Sequence, residues 1–275
     1  LNQAVAQAQL DVVLIQFNYG FFNFQHLSDF IHSQTAAGRR VVVEMHATTD
    51  PVSVPHKRLQ DLVPALSKCS RILVHSLTDL NRLKRLGLVG NVTLFPLGMP
   101  DYTPGPARKT ERKDFVLASY GFFLPHKGFN ELIDAVVQLR QSGHRVILHM
   151  INARYPAPQS DHAIQEAKVK VQQANAQDFI QINTDYLEDS ASLDLLSQAD
   201  LIVYPYQVTG ESSSAAVRHG MASGRPVAVT PLDIFNDVKT AVYQLPGTQA
   251  QEMAQGLSEL MVHLQASQSG QHDKA

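Results

Sequence analysis

Two stretches of the sequence combine small residues, hydroxyls and a cation in the way an anion-holding loop requires. The first, Tyr206–Ser214, reads YQVTGESSS and lies between the apolar run LIVY and a helical pattern. The first N–H groups of a helix have no intrahelical partner, and the helix dipole favours an anion there. Gly210, Ser212, Ser213, Ser214 and Ala215 are small enough for a phosphate to approach that backbone closely. Any one serine is explained by helix capping alone, but three in succession after Gly-Glu favour a ligand. The second stretch, Gly121–Gly128, reads GFFLPHKG and also joins an apolar run to a helical pattern. Lys127 stands just before that helix as a compact positive charge. A lone lysine in a turn is usually solvated, so its weight comes from sharing a strand-end position with the serine loop.

Two further residues suit a sugar. Glu211 is out of place if only phosphates bind nearby, and fits if it accepts hydrogen bonds from hydroxyls; a glutamate favoured by the helix dipole explains it equally well. His46 follows the run RVVVEM in EMHATTD, where an imidazole at a strand end can hydrogen-bond a substrate hydroxyl. The chain has 12 histidines, so for any one of them a structural role is the default, and His26, His56, His75 and His149 have no comparable context. No metal is expected: there is no Asp-x-Asp triplet, no His-x-x-x-His pair and a single cysteine, Cys69. A Walker loop, GxGxxG and a Gly-x-Ser-x-Gly elbow are absent too. The basic run Arg82, Lys84, Arg85 reads as a solvated helix face; contact with anionic headgroups is the alternative if the acceptor is lipid-linked.

These residues must be positioned by a regular alternation of strands and helices. Short β-branched runs at 11–16, 40–45, 71–75 and 92–96 read as buried parallel strands. Between them, Phe24, Leu27, Phe30 and Ile31, then 59–67, then Leu77, Leu80 and Leu83 recur at helical spacing. Gly38 and Gly87 close two of these helices, and Ser76 with Asp79 forms a capping pair. Residues 101–113, DYTPGPARKTERK, break the pattern and read as a linker. The alternation resumes with strands at 115–120, 145–151, 179–183, 201–204 and 227–230. Helices are expected after 128 as far as Gly143, and at 163–175, from Asp189 or Ser190, at 213–222, and from a Thr248/Gln251 cap to about His263. Two such blocks imply two Rossmann-like doubly wound domains: 1–101, a linker over 102–113, 114–263, and a polar, frayed tail from 264 to 275. Ligands of such sheets sit at the carboxyl ends of strands, which selects loops 17–22, 46–51, 121–128, 206–214 and 231–237.

Composition agrees and excludes alternatives. The chain has 275 residues, of which 44% are apolar and 17% charged, as a core-forming globular chain requires. A net charge of −2 gives no case for nucleic acid. One cysteine rules out an internal disulfide framework and suits a reducing, cytoplasmic setting. No apolar run approaches the roughly 20 residues that span a bilayer. The N-terminus does not read as a signal peptide and begins without Met, as a start inside a longer polypeptide or a processed chain would.

The stretch LIVYPYQVTGESSSAAVRHGMASGRPVAVT resembles the donor-site signature of GT-B glycosyltransferases, specifically the retaining glycosyltransferase family 4. Glu211 matches the first glutamate of that pattern, and Gly220 through Val227 matches its Ala-Met-Ala-x-Gly-x-Pro-Val tail. Phe115–Gly128 resembles the strand and phosphate-binding Lys-Gly. The segments 11–22, 41–47, 71–79 and 92–98 resemble the later part of the first domain. The resemblance implies that Glu211 contacts the donor sugar and that Lys127 and the backbone of Ser212–Ala215 hold the diphosphate. His46 matches the acceptor-domain histidine near the transferred sugar. It further implies metal-independent transfer, with retention, from a GDP- or UDP-linked sugar to a glycan or lipid-linked acceptor in polysaccharide biosynthesis. No cofactor beyond the donor is implied, and the enzyme would be cytoplasmic or peripheral at the inner face of the membrane. His219 stands where the family has its ribose-binding glutamate. The arginine usually preceding the lysine is absent, with Phe122 and Phe123 in its place, and the family's first strand and Gly-rich loop are missing, so the N-terminal domain reads as incomplete. These departures leave open a non-catalytic glycosyltransferase-like module of a larger protein. A sugar-nucleotide epimerase on the same fold pair is the third reading.

Overall fold

The computed structural model describes residues 2–103 and 113–272. Most of the expected linker, residues 104–112, and the last three residues of the tail lie outside the described residues. The chain divides into two compact units, one of Leu1–Leu97 with Gly210–Ser214, the other of Gly98–Thr209 with Ala215–Ala275.

The first unit runs α1 (Asn2–Gln7), β1 (Val12–Phe17), α2 (Phe24–Ala36), β2 (Arg40–Met45), α3 (Leu59–Leu66), β3 (Arg71–Val74), α4 (Leu77–Arg85) and β4 (Val92–Leu94). Its four strands are parallel, in the progressive order β1-β2-β3-β4. The β-branched strands alternate faces, so Ile15, Phe17, Val41, Val43, Met45, Ile72 and Val74 point into one core with Leu27, Ile31, Leu62 and Leu83 of the helices. Local signals set the helix starts: the Asp79 N–H donates to Ser76 Oγ at 3.2 Å, and the His26 N–H to Asn23 Oδ1 at 3.1 Å.

The second unit runs β5 (Phe115–Phe123), α5 (Phe129–Gln141), β6 (Val146–Arg154), α6 (Pro158–Gln173), β7 (Ile180–Asn183), α7 (Asp189–Leu196), β8 (Leu201–Tyr204), α8 (Ala215–Ala222), β9 (Val227–Val229), β10 (Tyr243–Gln244) and α9 (Ala250–His272). Its sheet is parallel in the order β10-β9-β8-β5-β6-β7. Successive residues of the central strands serve opposite cores: Leu117 and Val203 pack under α5, while Val116, Ala118, Ile202 and Tyr204 pack on the other side. Strand order reverses between β5 and β8, and in such sheets the crevice outside that reversal is where ligands bind.

Several boundaries differ from the sequence expectation for physical reasons. β5 and β6 each run three residues further, because Gly121–Phe123 pair with Asn152–Arg154. α8 begins at Ala215 rather than Ser213. The final helix is capped by Glu252, which accepts from the Gln249 N–H at 3.0 Å, and not by the expected Thr248/Gln251 pair. It continues through His272, so the tail expected to be frayed from 264 is helical as far as that residue. Among the described residues, no helix is long and apolar enough to cross a membrane.

Gly128 carries the tightest constraint. Its φ is +71°, and a Cβ there would lie 1.8 Å from the Pro205 carbonyl oxygen. Gly143, at the other end of α5, has φ +90° with open space around it. Replacing Gly143 by Ala should cost only the left-handed backbone penalty, about 1–2 kcal/mol. Gly128→Ala adds a backbone overlap and should lose at least twice as much in denaturant unfolding of this unit. Equal losses at the two positions would contradict the close approach.

Candidate functional site

In the first unit, parallel register brings four polar side chains to one face at the strand ends. Gln16 pairs with Glu44, and Met45 with Val74. One residue beyond that last pair, His46 and His75 stand side by side on the face that Glu44 and Gln16 share. The two rings are 5.1 Å apart, with His75 Nε2 3.3 Å from His46 Nδ1. His46 Nε2 lies 2.5 Å from Gln16 Oε1, and the Gln16 amide donates to Glu44 Oε2 at 2.8 Å. Partial burial holds the His46 imidazole below its usual pKa, and the neighbouring His75 adds to this against the opposing pull of Glu44 and Glu211. Sequence reading found His46 but not His75, Glu44 or Gln16, because only register reveals them as neighbours.

The segment Gly210–Ser214 is organised by Asp79. That carboxylate is buried and accepts hydrogen bonds from the hydroxyls of Thr48, Ser76 and Ser212, the last at 3.0 Å; Arg82 lies 3.5 Å away. The Ser212 N–H donates to the His46 carbonyl at 3.1 Å. Ser212, expected to help hold a phosphate, therefore has both its donors committed to the protein. Arg82, expected on a solvated face, donates to Thr48 Oγ1 at 2.6 Å, while Lys84 and Arg85 border a shallow surface depression with Thr78 and Asn81. Gly210 and Glu211 are exposed, Ser213 is half-buried and Ser214 buried.

In the second unit, the reversal between β5 and β8 places the expected 121–128 loop beside the first residues of the expected 206–214 loop, Tyr206 and Gln207. A single 3-10 turn, Pro125–Lys127, follows β5, and the Gln207 N–H donates to the His126 carbonyl at 2.8 Å. Lys127 is 8% exposed, so it is not the solvated turn lysine that sequence alone allows; its Nζ lies 3.8 Å from the centroid of the buried Tyr206 ring. That cation–π contact supports a desolvated ammonium. Gly121, at φ +118°, comes so close to α8 that a Cβ there would be 3.3 Å from Ala216 Cβ. The start of α8 is itself fixed by Tyr204, whose hydroxyl donates to the Ala216 carbonyl at 2.5 Å and fills the space a Cβ on Gly220 would take. Ala215, its first residue, is exposed.

His219, on α8, stacks on Tyr120 with ring centroids 5.2 Å apart. Its Nε2 is 3.3 Å from Asp189 Oδ1 and its Nδ1 3.3 Å from the Ala215 carbonyl. Phe122, where the resemblance leads one to expect an arginine, makes ring contacts with Tyr155 and Tyr186, all three exposed. Cys69 is buried and its thiol pushed up to about 12, which removes it as a nucleophile near neutral pH.

A family model described as glycosyl transferases group 1 matches residues 114–263. The chain belongs to this family. It is accordingly a glycosyltransferase, built on parallel sheets with alternating helices as the GT-B expectation required. Among solved structures, a UDP-forming α,α-trehalose-phosphate synthase from Burkholderia xenovorans, in complex with glucose-6-phosphate, is 14% identical with a TM-score of 0.74; the match covers 94% of this chain and 67% of that one. HepE from Anabaena in complex with UDP is 15% identical, TM-score 0.74, over 94% and 72%. Sucrose-phosphate synthase from Thermosynechococcus elongatus is 14% identical, TM-score 0.73, over 95% and 67%. No curated protein matches the chain.

For this group 1 transferase, the Asp79 network yields a direct test. Ser212→Ala should cost about 1 kcal/mol of unfolding free energy, one hydrogen bond's worth. Asp79→Ala should cost at least about 3 kcal/mol, since Arg82 and three hydroxyls lose their common acceptor. Denaturant titration of both variants checks this. A Ser212→Ala variant of unchanged stability but weakened nucleotide binding would return Ser212 to the ligand.

Proposed function

We propose that the chain transfers a sugar from a UDP-linked donor to a sugar hydroxyl, with the donor diphosphate on the second unit. The observation that carries this is the buried Lys127 ammonium over Tyr206, at the end of the strand beside which the sheet order reverses. A desolvated cation there, with the start of α8 at the exposed Ala215, suits two linked phosphates. The names of HepE with UDP and of the UDP-forming synthase favour UDP over GDP.

In the reaction proposed, the bond from the sugar C1 to the β-phosphate oxygen breaks and UDP leaves with the electron pair. The sugar passes through an oxocarbenium-like state, and the acceptor oxygen forms the new bond to C1 as its proton passes to the departing β-phosphate oxygen. Lys127 and the start of α8 meet the charge growing on the leaving phosphate, with no divalent ion needed there. Glu211 is the residue proposed, from the family resemblance, to orient the sugar; the resemblance gives His46 the same role, but both of its ring nitrogens are engaged, by Gln16 and His75. Retention of configuration rests on the same resemblance, as does a glycan or lipid-linked acceptor. His219, already engaged by Asp189 and the Ala215 carbonyl, can offer a ribose at most a weaker contact than a glutamate.

Calorimetric titration should show UDP binding to the wild type, tighter than GDP, with Lys127→Met weakening it at least tenfold. Glu211→Gln should lower turnover of a UDP-sugar while leaving UDP affinity within about twofold, since it touches the sugar and not the phosphates. Absence of UDP binding, or a Lys127→Met variant that binds as the wild type does, would sink the proposal.

A further inference from the structure

With both imidazoles neutral, the polar cluster at the ends of β1, β2 and β3 has a donor–acceptor arithmetic that hydrogen bonds alone do not balance. His75 Nδ1 lies 2.9 Å from the Phe95 carbonyl, which can only accept, so the proton of a neutral His75 is on Nδ1. Its Nε2 is then a bare lone pair. The Glu44 carboxylate also only accepts, so the Gln16 NH2 faces it and Gln16 Oε1 faces His46. That oxygen in turn fixes the His46 proton on Nε2 and leaves His46 Nδ1 bare. Three acceptors now face one another: His46 Nδ1 and His75 Nε2 at 3.3 Å, and His75 Nε2 and Glu44 Oε1 at 3.7 Å. One ligand atom from each of the three residues lies within 4.8 Å of the others.

We infer that Glu44, His46 and His75 bind a divalent transition-metal ion, zinc foremost, through Glu44 Oε1, His46 Nδ1 and His75 Nε2. The ligand set is two imidazoles and a carboxylate, one of the sets that hold zinc with an open position and also the facial set of non-haem iron(II). Bonds of about 2.0–2.2 Å to a tetrahedral ion separate neighbouring ligand atoms by about 3.3–3.6 Å, close to the two distances above. Both histidines have their remote nitrogen held by an acceptor, the Phe95 carbonyl for His75 and Gln16 Oε1 for His46. This is the outer support that orients metal-binding imidazoles and sets their tautomers. Three protein ligands leave a fourth position for water. The ion would tie three adjacent strand ends together within the first unit, and it is separate from the charge balance proposed for the diphosphate on the second.

The sequence expectation of no metal rested on contiguous motifs. Here Glu44 and His46 are spaced i, i+2 on one strand, and His75 comes from the next, a pattern such motifs do not cover. The inference does not depend on glycosyl transfer, so its test reads metal alone. The full chain, stripped with a chelator and titrated with Zn2+ against a chromophoric competitor, should bind one equivalent. Co2+ in its place should give the visible absorption of a four-coordinate site. Glu44→Gln and His75→Ala should each weaken Zn2+ binding at least tenfold, and Gln16→Ala less. Because His75 is 1% exposed, His75→Ala is checked for folding by circular dichroism. The near-isosteric Glu44→Gln carries the test if that variant unfolds. Zn2+ should also raise the thermal midpoint of the wild type and not of Glu44→Gln. Absence of saturable binding to the wild type, or wild-type affinity in a folded Glu44→Gln variant, would overturn the inference.

Discussion

The arrangement at the strand ends of the second unit depends on one close approach, that of the Gly128 backbone to the Pro205 carbonyl. Only a residue without a Cβ, at φ +71°, lets the turn after β5 lie against the chain leaving β8. That contact brings Lys127 onto Tyr206 and places the His126 carbonyl within reach of the Gln207 N–H. Gly121 does the same on the other side, where its missing side chain admits Ala216 of α8. Two glycines thus fix a buried cation and a helix start at the reversal of strand order, which is where a doubly wound sheet leaves backbone open to a ligand.

The first unit uses polar groups in place of close backbone contact. Asp79 collects hydroxyls from Thr48, Ser76 and Ser212, and so ties Gly210–Ser214 to the ends of β2 and β3. A buried carboxylate is costly unless its oxygens are saturated by donors. The same residue that caps α4 in the sequence reading is thereby the anchor of a segment more than a hundred residues away. This explains why a serine in the loop serves the scaffold, while Glu211 beside it stays exposed.

Much of this was legible in the sequence. Runs such as RVVVEM and LIVY are short, β-branched and buried, and their bounds coincide with β2 and β8. The Ser76 cap and the stops at Gly38, Gly87 and Gly143 work because each is a local signal, carried by a side chain or by a positive φ. Boundaries failed where tertiary pairing decided them, as when β5 lengthened along β6, or where helix content outlasted its apolar pattern in α9. Lys127 was found by its position, but its burial was not, since Tyr206 reaches it across a loop. His75 was passed over for a related reason. Its neighbours are set by strand register, and register is not written in any one segment. Family membership, seen in the Glu211–Val227 stretch, was legible because that motif is contiguous.

The central claim is that the diphosphate of the donor sits on the second unit between Lys127 and the start of α8. The most direct measurement is a crystal structure of the chain with UDP. The account predicts the β-phosphate within hydrogen-bonding distance of Lys127 Nζ and of the N–H of Ala215 or Ala216. A diphosphate bound elsewhere, with Lys127 still closed over Tyr206, would contradict it.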